Sequence, residues 1–69
     1  MNKFTTLLAK NIKKYRKEAG LSQNKLSKKA DVTLHTITKI ELGATLDPRI
    51  LTVKRIADAL DCKVDDLLK

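Results

Sequence analysis

The chain has 69 residues, of which 42% are apolar, and its formal net charge is +7. This length predicts one small domain over residues 1–69, and this apolar content argues against an intrinsically disordered chain. A single cysteine, Cys62, and a single histidine, His35, exclude an internal disulfide and predict neither a metal site nor another cofactor.

The first predicted helix covers about residues 6–19. Leu8, Ile12 and Tyr15 recur in it at the i, i+4, i+7 spacing of one buried helix face. Gly20 follows, a residue that adopts the left-handed backbone of a helix end without steric cost.

Two shorter helices follow, separated by a tight turn. Ser22 is suited to cap the first of them, which ends near Ala30. Asp31 tolerates the positive φ of a turn better than most residues, and Thr33 caps the next helix, which runs to about Leu42. Two short helices joined by a turn of three to four residues predict a helix-turn-helix.

The last part of the chain predicts two more helices and no strand. Asp47 as a cap and Pro48 at the first helical position mark the start of the fourth helix. Residues 64–69 predict a last short helix. The apolar face of the fourth helix consists of Ile50, Leu51, Val53, Ile56, Ala57 and Leu60. The predicted fold class is therefore all-α.

The positive charge is concentrated in the first three helices. Residues 1–40 carry ten basic and two acidic residues, a net charge of +8, whereas residues 41–69 carry five basic and six acidic residues, a net charge of −1. Such asymmetry is typical of a surface that binds a polyanion. Charge alone does not distinguish three interpretations of this surface: it binds nucleic acid, it binds a membrane surface, or it only keeps the domain soluble.

The third helix has one buried and one outward side. On a helical wheel Ile37 and Ile40 mark the buried side. Because the outer N-terminal face of the second helix of a helix-turn-helix enters the major groove, the outward residues are candidates for base contacts. These candidates are Leu34, His35, Thr38 and Lys39.

The chemistry of these side chains suits mixed recognition of base edges. Lys39 donates to the O6 and N7 atoms of guanine, and Leu34 or the methyl group of Thr38 packs on the methyl group of thymine. His35 donates to a purine acceptor or to a phosphate. The alternatives are partial core packing for Leu34, a solvated surface side chain for His35 and a phosphate contact for Lys39.

Two stretches, LSQNKLSKKADVTLHTITKIELG over residues 21–43 and DPRILTVKRIADALDCKVDDLL over residues 47–68, resemble a known family. They are similar to the Cro/C1-type (XRE-like) helix-turn-helix domain of lambdoid phage repressors and related bacterial regulators. The resemblance covers about residues 8–68. It implies a compact five-helix, lambda-repressor-like domain.

The resemblance also implies roles for particular side chains. Gln23, at the start of the second helix, is expected to bind a DNA phosphate, and Arg49 to approach the minor groove. Arg16 and Glu41 are expected to form a salt bridge that holds the first helix to the third. The predicted backbone contacts are Gln23, Asn24, Lys25, Thr36, Thr45 and Arg49.

The sequence departs from the family pattern at three positions. Asp31 and Asp61 stand where glycine is usual, so both turns are expected to be strained. Leu42 stands where a polar residue usually touches phosphate, which removes one contact.

We therefore expect a transcriptional regulator, with repression as the expected outcome, that binds double-stranded DNA in a sequence-specific manner. It is expected to bind as a dimer to a near-palindromic operator. The dimer, weak or induced by DNA, is expected to involve Leu46 and residues 60–68. The alternative is an antitoxin or protein-binding adaptor that uses Leu42 and Leu46.

Other classes of protein are not expected. With no glycine-rich phosphate loop and with its histidine and cysteine far apart in sequence, the chain lacks the signals of an enzyme or of a small-molecule ligand site. No apolar run approaches the ~18 residues of a membrane span, and the N-terminal residues lack the pattern of a signal peptide. Together with the lack of disulfides, this predicts a cytoplasmic protein.

Overall fold

Five helices make up the regular structure of the residues that the structure describes. The structure, a computed structural model, describes residues 3–44 and 48–69, in which every regular element is helical. The helices are α1 (Lys3–Glu18), α2 (Gln23–Ala30), α3 (Leu34–Glu41), α4 (Ile50–Ala59) and α5 (Val64–Leu67). The all-α, five-helix prediction is confirmed.

An aliphatic core joins the helices. α1 packs against α3 and α5, α2 packs against α3 and α4, and α4 packs against α5. The largest fully buried side chains are Ile12, Leu26, Ile37, Ile56 and Leu67. Because this core covers only the inner side of α3, the opposite side of that helix stays open to solvent.

α1 begins earlier than the apolar spacing predicts. It starts at Lys3 rather than near residue 6. Thr5 is buried one turn before Leu8 and Ala9, so the inward stripe of the helix continues toward the N-terminus through a polar residue. The spacing of apolar residues alone does not predict this first turn of α1, because its buried residue, Thr5, is polar.

The helix-turn-helix is held by the predicted caps. The Ser22 hydroxyl accepts a hydrogen bond from the Lys25 backbone N–H at 3.0 Å, and Thr33 Oγ1 accepts one from the Thr36 backbone N–H at 3.2 Å. Asp31 ends α2 in the left-handed conformation, with φ 58°. These contacts satisfy backbone donors that would otherwise lack partners at each helix start.

The predicted start of α4 at Pro48 is wrong. The helix begins at Ile50, and Arg49 is its N-cap, with extended backbone and no hydrogen bond from its side chain. The φ of proline suits extended backbone as well as helix, so Pro48 alone does not set the start. The predicted cap, Asp47, lies outside the described residues.

The apolar face predicted for α4 is also too broad. Ile50 and Leu51 are largely exposed, and the first buried side chain of the helix is Val53. The side chains of α4 therefore pack into the core only from its second turn onward.

Asp61 lies in the turn between α4 and α5 and adopts the left-handed backbone conformation, with φ 55°. Replacing it with glycine measures the strain in this turn. The left-handed conformation brings Cβ close to the following carbonyl oxygen, and glycine avoids this contact. Asp61→Gly is expected to raise the free energy of unfolding by about 0.5–1 kcal/mol, after allowing for the greater freedom of glycine in the unfolded chain.

Thermal and urea unfolding measure this change. Asp58→Gly is the matched control, because Asp58 lies inside α4, where the lower helix propensity of glycine and the loss of the ion pair with Lys54 are together expected to lower stability by about 0.5–1 kcal/mol. Equal destabilisation by both substitutions would contradict the strain at Asp61.

Candidate nucleic-acid interface

The exposed side of α3 is a polar surface backed by the core. Ile37 and Ile40 are buried beneath it, whereas His35 and Lys39 are exposed and Thr38 is half-buried. Leu34 lies between the two sides and is partly exposed. The helical wheel thus correctly predicts which side of α3 is buried, and the four residues predicted to contact bases are all at least partly exposed.

A buried ion pair fixes α3 to α1. Arg16 Nε donates to Glu41 Oε2 at 2.7 Å, and Nη2 donates to Glu41 Oε1 at 3.0 Å. The two side chains are only 10% and 3% exposed. The hydrogen bond to Glu41 raises the pKa of Arg16 above its ordinary value, although burial opposes this effect. The structure thus contains the ion pair that the family resemblance implies.

Further hydrogen bonds extend the ion pair into a polar network. Arg16 Nη1 donates to the Leu21 carbonyl oxygen at 2.8 Å, and Gln23 Nε2 donates to Glu41 Oε1 at 3.0 Å. Thr38 Oγ1 in turn donates to Gln23 Oε1 at 3.1 Å. Among the described residues, no buried side-chain nitrogen or oxygen atom lacks a hydrogen-bond partner. The network joins α1, α2 and α3 in front of the core.

Gln23 has a role in this network that is not predicted from the sequence. The side chain is expected to bind a DNA phosphate, whereas both polar atoms of its amide already bond to α3. Only one N–H of the amide is used in the pair with Glu41, so the other remains for an external acceptor. No signal within one helix predicts this pair, because Gln23 and Thr38 are 15 residues apart on two helices.

The other predicted backbone contacts have different surroundings. Asn24, Lys25 and Arg49 are exposed. Thr36 is half-buried, and its Oγ1 lies 2.8 Å from Thr33 Oγ1 in a hydrogen bond at the start of α3. The remaining predicted contact, Thr45, lies outside the described residues.

An open cleft lies between α3 and the start of α4. Its volume is about 340 Å³. It brings together the exposed His35 and Lys39 from α3 and Arg49 from the N-cap of α4. Its lining is His35, Thr36, Lys39, Ile40, Pro48, Arg49 and Thr52. Donor side chains from α3 and from the N-cap of α4 thus share one groove.

A second cleft, of about 530 Å³, adjoins the first and contains basic residues that are not among the predicted contacts. Thr36 and Thr52 line both clefts, and the second adds the cationic side chains of Lys28 and Arg55. The spacing of Arg49, Thr52 and Arg55, three residues apart along the start of α4, is the signal that would have found Arg55.

Two leucines of the C-terminal region predicted for dimerisation are buried in the monomer, whereas other residues of that region are half-buried or exposed. Leu60 and Leu67 are buried in the core of the monomer, so they are not available to a second chain. The other predicted contact, Leu46, lies outside the described residues. Large apolar side chains are instead exposed at Phe4, Leu34, Leu42, Ile50 and Leu51.

Cys62 sits in an acidic and partly buried environment. Burial raises the pKa of its thiol, and the negative charges of Asp66, Asp58 and Asp61 add to the effect. The neutral thiol is therefore favoured over the reactive thiolate.

Within residues 3–44 and 48–69, no group of histidine, cysteine and carboxylate side chains has the arrangement of a metal site. No helix in these two segments has the length and apolarity to cross a bilayer.

Known proteins are similar to this chain in sequence. The chain is 34% identical over 62 residues to the HTH-type transcriptional regulator SinR of Bacillus subtilis, and the match covers 90% of this chain and 56% of that protein. The chain thus corresponds to about half the length of that curated relative.

Solved structures agree with the sequence match. The N-terminal DNA-binding domain of SinR from Bacillus subtilis superposes with a TM-score of 0.88 at 33% identity, covering 93% of each chain. A crystal structure of SinR, the master regulator for biofilm formation, in complex with DNA superposes with a TM-score of 0.86 at 34% identity. That match covers 90% of this chain and 98% of the solved one.

The helix-turn-helix family model matches residues 12–67, which include α2, the turn and α3 together with most of the core. The caps, the ion pair and the match to SinR agree with this assignment. The chain belongs to the Cro/C1-type helix-turn-helix family.

Proposed function

We propose that this chain binds double-stranded DNA in a sequence-specific manner and regulates transcription, with repression as the expected outcome. The observation that carries the proposal is the outer side of α3, where His35 and Lys39 are exposed over a rigid core beside Arg49. A helix placed in this way fits the major groove, and its flanking cations suit the phosphates on the groove edge. SinR, a relative, has been solved in complex with DNA.

The base contacts are proposed from the exposed atoms of α3. Lys39 donates to guanine O6 and N7, and His35 donates to a purine acceptor or to a phosphate. Leu34, which is partly exposed, packs on a thymine methyl group. Thr38 completes the set from its half-buried position.

Backbone contacts flank this surface on two sides. On the α2 side, the second amide hydrogen of Gln23 and the exposed Asn24 and Lys25 face solvent at a helix start, where an anion is favoured. On the α4 side, the two joined clefts offer Thr36 and Arg49. We add Lys28 and Arg55 to the predicted set, because they extend the same groove.

We further propose that binding occurs as a dimer on a near-palindromic site. Two-fold symmetry in the protein requires two half-sites about one helical turn apart on the DNA. Since Leu60 and Leu67 belong to the monomer core, the exposed Leu42, Ile50 and Leu51 are better candidates for contact between the two copies.

Selection of bound sequences from random duplex DNA tests the proposal. A consensus with two half-sites about 10 base pairs apart is expected. Binding to that consensus should weaken steeply between low and moderate salt, because phosphate contacts release counterions. An enriched consensus that binds with no salt dependence would contradict the electrostatic part of the proposal.

A protein-binding adaptor or antitoxin is the second candidate. The observation that favours it is the exposed apolar surface, since Leu42 is 70%, Ile50 72% and Leu51 59% exposed. The selection experiment separates the candidates. No enrichment of any DNA sequence would favour the adaptor, whereas a salt-sensitive consensus would favour the regulator.

A further inference from the structure

The polar network that joins α1, α2 and α3 sets the direction of the side-chain hydrogen bond between Thr38 and Gln23. Glu41 is held by two hydrogen bonds from the Arg16 guanidinium. A carboxylate in such a pair has no hydrogen to donate, so its neighbour must supply one. Gln23 Nε2 lies 3.0 Å from Glu41 Oε1, and the amide nitrogen is therefore the atom that faces the carboxylate.

This orientation of Gln23 determines the role of the Thr38 hydroxyl. With its nitrogen toward Glu41, the amide presents its oxygen to Thr38, at 3.1 Å from Oγ1. An amide oxygen accepts and does not donate. Thr38 must therefore use its single hydroxyl hydrogen on Gln23, and only the lone pairs of Oγ1 remain for another partner.

We propose that Thr38 is a specificity-determining residue that accepts a hydrogen bond from the exocyclic amine of a base, and so selects adenine or cytosine at one position of each half-site. In the major groove adenine offers its N6 amine and cytosine its N4 amine, whereas guanine and thymine offer acceptors at the equivalent edges. An oxygen that can only accept pairs with the first two bases and repels the others. This inference rests on the proposed DNA binding of α3.

The inference differs from the general expectation for threonine in a groove. A free hydroxyl rotates to donate or to accept and so discriminates little between bases. Here Arg16, on a different helix and with its side chain only 10% exposed, removes that freedom through Glu41 and Gln23. Arg16 thus influences which base is preferred, although α1 makes no contact with that base.

Two substitutions separate the hydroxyl from the methyl group. Thr38→Ser keeps the hydroxyl and removes the methyl group, and Thr38→Val does the reverse. The affinity of each variant and of the unchanged chain is measured for the selected site with all four bases placed at every position of the half-site. Thermal melts of each variant verify that it is folded.

At one position the unchanged chain is expected to prefer adenine or cytosine by about tenfold, the size of one well-formed hydrogen bond. Thr38→Ser should keep this preference, and Thr38→Val should reduce it to less than about twofold. A thymine preference kept by Thr38→Val and lost in Thr38→Ser would overturn the inference, because the methyl group would then make the contact.

A base analogue tests the same contact without changing the fold. If the selected base is adenine, it is replaced by purine, which lacks the 6-amino group; if it is cytosine, by 2-pyrimidinone, which lacks the 4-amino group. The unchanged chain should lose about tenfold in affinity, and Thr38→Val should lose almost none.

Equal loss by both proteins would overturn the inference while leaving DNA binding intact. Absence of any specific binding by the unchanged chain would instead overturn the proposed function and, with it, this contact.

Discussion

Arg16→Ala is expected to lower the free energy of unfolding by about 3–5 kcal/mol, the cost of leaving a buried carboxylate without its partner. Glu41 keeps a side chain that is only 3% exposed, and the remaining hydrogen bond from Gln23 does not neutralise its charge. The substitution also removes the donor to the Leu21 carbonyl oxygen. Since small domains are stable by only about 5–15 kcal/mol, chemical denaturation should show a large loss of folded protein.

The chain offers a matched control in the ion pair of Lys54 and Asp58. Its atoms lie as close, at 2.6 Å, but its side chains are 59% and 61% exposed. Lys54→Ala is expected to change stability by less than about 1 kcal/mol, because water screens the pair. Similar losses in the two variants would contradict the role of burial at Arg16.

A double substitution separates the unpaired charge from the loss of the pair. Arg16→Met combined with Glu41→Leu removes both charges and keeps most of the volume. It should be less destabilising than Arg16→Ala alone, because no charge is left buried without a partner. If the double variant is as unstable as the single one, the unpaired charge of Glu41 is not the source of the cost.

Lys39→Ala is expected to weaken binding to the selected DNA site by about 1–3 kcal/mol, or roughly 5- to 150-fold, and to relax the base preference at one position. Lys39 is exposed on α3 and lines the cleft that it shares with Arg49. Because its side chain is exposed, its removal should leave the melting temperature almost unchanged. Fluorescence anisotropy with the consensus and with single-base variants measures both effects.

Arg55→Ala is the comparison for this measurement. Arg55 lines the second cleft, and we assign it to a phosphate. Its removal should weaken binding to all sequences alike and reduce the slope of log affinity against log salt by about 1. If Lys39→Ala also weakens all sequences equally, Lys39 binds phosphate and makes no specific base contact.

Much of the fold follows from patterns that lie within one helix. The spacing of Ile37 and Ile40 predicts which side of α3 faces the core, and the caps Ser22 and Thr33 predict where α2 and α3 begin. These features depend on neighbours within a few residues, which a single sequence contains. The start of α4 does not, because Pro48 is compatible with both extended and helical backbone.

The candidate site is predictable only in part, for a similar reason. The exposure of His35 and Lys39 follows from the helical wheel. The pair of Thr38 with Gln23 joins residues 15 apart on two helices, and no periodic pattern encodes their contact. The groove shared with Arg55 likewise depends on how α4 packs against α2 and the turn.

The shortness of α2 and α3 has a consequence for how binding can be detected. Each has eight residues, fewer than the ~12–15 that an isolated helix needs to persist in water. The proposed DNA surface therefore exists only in the fully folded domain. A ligand that binds only the folded form raises its apparent stability by mass action. Resistance to a protease should thus increase with the concentration of the correct operator, so that digestion reports recognition without any label on protein or DNA.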